Sequence, residues 1–344
     1  MTRFGLIGCG NIARFHFAAI AKADGRVSFV ADINEAAAKP WLAQTGAAFS
    51  TDYRDLVRSD DVDVVCVLAS APFHLEMCMA ALAAGKDVVC EKTMANNPAE
   101  AAQLVAAVRE SGRLFFTTYM KRFFPAVVKA QELLPQLGRV FAAHVRSYQC
   151  WGDFFSDGAD APEAVLRTYG GAVLKCAGSH VLDMTMFFLG RPQRVYAKLD
   201  CVPGTRFDRK VTSILEFENG VTATFEAAAH PLQKIGFARD SWDEKMEING
   251  VNGRLEIYTV QWDAPERNAA LLVHYDNDSG AVTEYRFDAV NPFDLEVEAI
   301  MRAVAGRMQI HPDVLDGFNV DALIGAMIDS DAAGASVPVD WRGL

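Results

Sequence analysis

No uninterrupted apolar run in this 344-residue chain approaches the ~18 residues of a membrane span, and the first residues enter a strand-like run with no secretory pattern. A membrane anchor and export are therefore not expected. There is no Cys-x-x-Cys pair. The seven cysteines, Cys9, Cys66, Cys78, Cys90, Cys150, Cys176 and Cys201, are an odd number and sit mostly in apolar segments, which reads as reduced core thiols of a cytoplasmic protein. Positive charge is in deficit. The 33 Lys and Arg face 44 Asp and Glu, a net charge of −11 that argues against a nucleic-acid or acidic-membrane partner. No His-x-x-x-His or carboxylate cluster suggests a metal, and there is no internal repeat or low-complexity linker. What is present is the composition of a globular chain, 51% hydrophobic and 22% charged, long enough for two domains.

The most informative stretch is the first thirty-two residues. An apolar run, Phe4 to Ile7, leads into Gly8-Cys9-Gly10-Asn11-Ile12-Ala13, and apolar residues then recur at helical spacing to Ala23. That is a strand, a tight turn and a helix. The first glycine permits the turn, the second lets backbone approach a pyrophosphate, and the small Ala13 lets the helix lie close to the strand. Free N–H groups at the helix start face the anion. A second strand, Val27 to Ala31, ends in Asp32, nineteen residues after Ala13 and close to the ~20 expected before the acid that binds the adenosine ribose. Its carboxylate would repel a 2′-phosphate, and Ile33 and Asn34 bring no positive charge. NAD is therefore expected over NADP.

Strand and helix patterns keep alternating. Val62 to Leu68 reads as a buried strand, Phe73 to Ala84 as a helix closed by Gly85, and Asp87 to Cys90 as a strand ending at Glu91-Lys92-Thr93. Pro98 to Ser111 is helical and Leu114 to Thr117 a strand. Repeated units of this kind imply a parallel, doubly wound sheet over residues 1–120. Beyond residue 120 the character changes. A helix near Pro125 to Leu134 and a strand from Val140 to Ser147 are followed by hairpin signals at Asn219-Gly220, Asn252-Gly253 and Asp276 to Gly280. Residues 121–344 are expected to form a second domain rich in antiparallel strands, with late helices at Phe293 to Val304 and Val320 to Asp331. Trp151 to Thr168 reads as a long functional loop.

Two constellations bear chemistry. Lys92 lies at a strand's carboxyl end, where an ammonium can hydrogen-bond a substrate oxygen. A strand-end lysine is ordinarily a solvated charge, and position alone leaves both readings open. The second is the Gly-led segment Tyr169 to Asp183, in which helical spacing puts Cys176, His180 and Asp183 roughly on one face and Lys175 about 100° away. A histidine suits proton transfer to or from an alcohol during hydride transfer, but an apolar setting equally suits a core histidine.

These motifs resemble those of the Gfo/Idh/MocA oxidoreductases. The matching pieces are GLIGCGNIARFH, SAPFHLEMCMAALAAGKDVVCEKTMA, KRFFPA, GGAVLKCAGSHVLD and NPFDLE, running from residue 5 almost to residue 300. The resemblance implies an N-terminal Rossmann domain and a C-terminal α+β domain with a large, mostly antiparallel open sheet that often serves oligomerisation, in a homodimer or homotetramer. It implies hydride transfer between NAD(H) and a carbinol or carbonyl carbon of a sugar, cyclitol or related polyol, with Lys92 and His180 catalytic. It implies cofactor contacts at Gly8, Gly10, Asn11, Ile12, Asp32, Ile33, Ala69, Ser70, His74, Glu91 and Lys92, and substrate contacts at Lys92, Arg122, Cys176 and His180.

Two positions depart from the family pattern. Thr93 stands where a cis-proline helps aim the lysine, and the thiol of Cys176 stands in place of an aspartate. A dihydrodiol or keto-sugar substrate, or a catalytically weak dinucleotide-binding regulator, are the competing readings.

Overall fold

A computed structural model describes residues 1–342 except 262 and 265–268. The chain opens with β1 (Arg3–Ile7), α1 (Ala13–Lys22), β2 (Arg26–Ala31), α2 (Glu35–Thr45), β3 (Ala48–Ser50), α3 (Tyr53–Arg58), β4 (Val64–Val67), α4 (His74–Ala83), β5 (Asp87–Cys90), α5 (Pro98–Ser111) and β6 (Phe115–Thr117). β4 and β5 are buried along their whole length, as suits parallel strands covered by helices on both faces. The six strands pair only in parallel, in the order β3-β2-β1-β4-β5-β6. Strand order therefore reverses between β1 and β4, and doubly wound sheets bind ligands beyond the strand ends at such a reversal. The expected doubly wound sheet is present.

The second run contains α6 (Pro125–Leu133), β7 (Val140–Gln149), α7 (Glu163–Tyr169), a π-helical turn (Leu174–Gly178) leading into α8 (Ser179–Leu189), and β8 (Pro192–Cys201). It continues with β9 (Asp208–Phe217), β10 (Thr222–Ala229), β11 (Trp242–Gly250), β12 (Gly253–Tyr258), β13 (Leu271–Asp276), β14 (Val282–Arg286), α9 (Pro292–Gly306), α10 (Val314–Ala333) and β15 (Val337–Pro338). A nine-stranded sheet in the order β14-β13-β12-β11-β7-β10-β9-β8-β15 results, antiparallel except where β10 lies parallel to β7. The three hairpins fall where the turn residues put them, with Leu215 opposite Ala223, Gly250 opposite Gly253 and Tyr275 opposite Val282. Alternation sets the core: β9 buries Val211, Ser213, Leu215 and Phe217 and turns Thr212, Ile214 and Glu216 outward. Among the described residues no single helix is long and apolar enough to cross a membrane.

The chain forms two compact units, Met1–Met120 with Phe293–Asp321, and Lys121–Pro292 with Ala322–Trp341. The return of 293–321 to the first unit corrects the assignment of everything past 121 to a second domain. Its cause is local: Phe293 stacks on Phe15 at 4.9 Å, Asp294 pairs with Lys22 at 2.6 Å, and the Gln309 amide bonds both N–H and C=O of Phe115 on the edge strand β6. Two local expectations also change. Part of the Trp151 to Thr168 loop is helical, because α7 begins at Glu163, and β8 is a full strand that the pattern had not marked.

Candidate active site

At the carboxyl end of β1 the chain turns through Gly8, whose φ of +102° is open to glycine alone among ordinary residues. A Cβ there would lie 2.9 Å from the Leu68 carbonyl carbon, so the turn is pressed against the loop that follows β4. Gly10 is exposed and a Cβ on it would meet nothing within 4 Å; that open space is where a pyrophosphate can approach the backbone. Asn11 and Ile12 follow, the opening of α1 takes no side-chain cap, and Ala13 is fully buried against the sheet. The Ala13 and Phe15 N–H groups donate to the Gly10 and Ile12 carbonyls at 3.1 Å, and the positive end of the helix dipole remains open to an anion. Beyond β2, the Asp32 carboxylate accepts the N–H of Cys9 at 2.6 Å and of Asn34 at 2.7 Å, which fixes it beside the glycine turn. Ile33 beside it is 93% exposed. These residues fit a dinucleotide diphosphate, and Ala69 and Ser70, half-buried after β4, flank the same switch point.

Lys92 lies two residues beyond the end of β5. It is only 9% exposed, which sets aside the reading of a solvated surface charge. The Lys92–Thr93 peptide is cis although residue 93 is not proline. The strap from 92 to 95 is braced from several directions. The Ala95 N–H donates to Asp321 at 2.8 Å, and Gly317 of α10 comes so close that a Cβ would stand 2.5 Å from the Met94 sulfur. His74, expected to line the cofactor, is 1% exposed, with its two ring nitrogens 2.9 Å from the carbonyl oxygens of Thr93 and Ala69; a neutral imidazole has one N–H and donates to one of the two at a time. Burial holds its pKa below the usual value against the pull of those carbonyls. Glu91 is likewise buried, with one oxygen 2.8 Å from His16 Nε2 and the other accepting the Lys92 N–H at 3.1 Å. Burial pushes its carboxyl up, but the His16 hydrogen bond and the charges of His16 and Lys92 outweigh this and hold it below the usual range. His16 was not singled out in the sequence; the available signal was its place on the buried face of α1, with Ala13 and Ile20.

In the second unit, Asp208 at the start of β9 accepts the N–H groups of Ala172 at 2.9 Å and Leu174 at 2.6 Å and so anchors the turn that carries Lys175 and Cys176. Burial raises its carboxyl to about 6, although those two N–H bonds pull the other way. Because Leu174–Gly178 is a π-helical turn, the 3.6-residue spacing fails across it. Lys175 is buried, with its stem over Gly171, while Cys176 and His180 are half-buried. Asp183 lies three residues after His180 within α8. It is fully buried and takes both ends of the Arg122 guanidinium, at 2.6 and 2.8 Å, beneath α8. Arg122, expected at the substrate, is thus engaged in holding that helix, with Phe187 stacked on its guanidinium at 4.8 Å. Lys121 beside it is buried in a polar network with Glu244, Ser147, Thr259 and Gln149 that no sequence signal marked.

All seven cysteines are free thiols, four of them buried. One metal-like grouping exists among the described residues: His311, Asp313 and Asp316, whose ligand atoms lie within 4.8 Å of one another. Its hydrogen bonds form the cap of α10, with Asp313 accepting the N–H groups of Leu315 and Asp316 and Asp316 accepting that of Asp313.

Fold and site together define a dinucleotide-binding α/β protein with a buried lysine at the sheet's switch-point side. Residues 2–119 match the model of an oxidoreductase family with an NAD-binding Rossmann fold, and residues 127–256 match the GFO/IDH/MocA C-terminal domain. The chain belongs to the Gfo/Idh/MocA family and is an NAD-binding oxidoreductase. It is similar to D-xylose 1-dehydrogenase (NADP(+)) 2 of Haloferax volcanii, 26% identical over 98% of this chain and 99% of that one. It is also similar to inositol 2-dehydrogenase 2 of Saccharopolyspora erythraea, 26% identical over 98% of this chain and 95% of that one. A solved levoglucosan dehydrogenase, in complex with NADH and L-sorbose, shares the fold at a TM-score of 0.87 with 20% identity, each chain covered in full.

Proposed function

We propose that this protein is a sugar or polyol dehydrogenase that uses NAD(H), with Lys92 and His180 as its acid–base groups. The observation that carries the reading is the burial of Lys92 at the carboxyl end of β5, in the sheet whose first turn is shaped for a diphosphate. The names of the xylose and inositol dehydrogenases support the substrate class. When bound, the nicotinamide supplies a hydride acceptor or donor. Lys92 hydrogen-bonds the substrate oxygen, and His180 takes the hydroxyl proton on oxidation and returns it on reduction. Asp32 holds the adenosine ribose and disfavours a 2′-phosphate. The first unit binds the dinucleotide and the second the substrate.

The seven free thiols support a reducing, cytoplasmic setting. The open sheet's outward face, with Tyr196 and Ile214 exposed, supports a homodimer or homotetramer. A panel of aldoses, cyclitols and polyols with NAD⁺, followed at the NADH absorbance band, tests the substrate class. In Lys92→Met, turnover on the best substrate should fall by roughly 10²–10⁴-fold while NADH affinity stays near wild type; unchanged turnover rejects the assignment. A dihydrodiol substrate is the second reading. It is favoured by the trans-1,2-dihydrobenzene-1,2-diol dehydrogenase of Xenopus laevis, 28% identical over 76% of this chain, and a trans-dihydrodiol belongs in the same panel.

A further inference from the structure

Two buried groups in the first unit have no role in the chemistry above. His16 is 1% exposed and Glu91 6%. Burying an imidazole against a carboxylate adds no assured stability, since apolar residues of similar volume usually do as well or better. The pair therefore calls for another explanation, and its geometry supplies one. Glu91 Oε1 sits 2.8 Å from His16 Nε2, and Oε2 accepts the backbone N–H of Lys92 at 3.1 Å. Each carboxylate oxygen is thus committed, one to helix α1 and one to the residue that bears the ammonium. The imidazole is itself fixed from the other side, where Phe293 meets it edge-on at 5.7 Å. Phe293 in turn stacks on Phe15 of α1. Among the described residues Nδ1 of His16 has no hydrogen-bond partner. A ring nitrogen buried without a partner is a further penalty borne at this position.

We propose that His16 and Glu91 are positioning residues for Lys92: the helix that opens on the cofactor's diphosphate also fixes, through one imidazole and one carboxylate, the backbone from which the lysine projects. The inference rests on the reading of Lys92 as an acid–base group. It links the two ends of one sheet edge. The glycine turn and α1 follow β1, the lysine follows β5, and the His16–Glu91 bond spans the intervening strand β4. A lysine held this way keeps its place without substrate present. A shift of about 1 Å in such a group is enough to lower a rate on the order of 10²-fold.

The test compares two polar, neutral replacements in the full chain. In His16→Gln the amide nitrogen reaches the place of Nε2 and can still donate to Glu91; in His16→Asn it stops short. The expected result is that His16→Asn lowers kcat on the best polyol by roughly 10- to 100-fold, with KM and NADH affinity within a few-fold of wild type, and that His16→Gln recovers most of the loss. A second readout needs no turnover. Trace acetylation of Lys92 by acetic anhydride, read by peptide mass spectrometry in the absence of cofactor, should rise several-fold in His16→Asn and stay near wild type in His16→Gln. If His16→Asn fails to melt cooperatively, Glu91→Ala is read in its place against wild type. Equal kcat and equal Lys92 labelling in wild type, His16→Gln and the disrupted variant overturn the inference. Lys92→Met separates the two levels: full turnover in that variant rejects the acid–base reading itself, whereas loss in Lys92→Met with no effect at His16 rejects only the positioning role.

Discussion

The single buried pair with the clearest energetic consequence is Arg122–Asp183. Asp183 is wholly inaccessible and Arg122 covers both its oxygens, three residues from His180. Arg122→Ala removes one partner of a buried ion pair, which ordinarily costs about 3–5 kcal/mol. Thermal melts should show a large loss of stability, and activity should fall because α8 no longer holds His180 in place. A stable variant with only a raised KM would return Arg122 to the role of substrate contact that the KRFFPA motif implied. At this scale the sequence discloses strand position: Asp32 and Lys92 follow β2 and β5 where the apolar runs put them. It was mute where meaning depends on a partner far along the chain. Nothing near His16 announces Glu91, 75 residues away, and nothing near Arg122 announces Asp183, 61 residues on. The Glu91 carboxylate meets His16 and the Lys92 N–H.

Among the elements, the π-helical turn before α8 matters most. Asp208 secures its start by accepting two N–H groups from inside the core. Its carboxyl, raised to about 6 by burial, lies above the ~3.9 of an unfolded aspartate. A carboxyl raised in this direction stabilises the fold while protonated. Its contribution is complete below about pH 4 and is lost as pH rises through about 6, a change on the order of 3 kcal/mol. The stability of wild type relative to Asp208→Asn should therefore fall across that window and level off above it, as read from paired unfolding curves between pH 4 and 8. A difference that stays constant over the window contradicts the buried, titrating carboxyl. Strands and hairpins were legible because alternation and Asn-Gly turns are local signals, and β9–β10 and β11–β12 lie where those signals put them. The π-turn was not legible. A 3.6-residue period is assumed in reading any helical segment, and the extra residue per turn is set by packing, here by Gly178, where a Cβ would stand 3.3 Å from the Phe225 ring, and by the Asp208 anchor.

For the whole molecule, the two-unit plan was visible as a change of pattern near residue 120. The return of 293–321 was hidden, because an amphipathic helix reads the same whichever surface it covers; only the contacts of Phe293, Asp294 and Gln309 assign it to the first unit. Membership of the Gfo/Idh/MocA family rests on both units, since the two family models meet the chain on either side of that change. Everything functional then depends on one association, that of a dinucleotide with the turn through Gly8 and Gly10 and with Asp32. Calorimetric titration of the full chain with NADH and, separately, NADPH tests it most directly. The expected result is one site per chain for NADH with affinity in the micromolar range or tighter, about −8 kcal/mol, and NADPH weaker by at least tenfold because Asp32 faces its 2′-phosphate. No heat with either dinucleotide on folded protein would contradict the dinucleotide site, and tighter binding of NADPH would contradict the role given to Asp32.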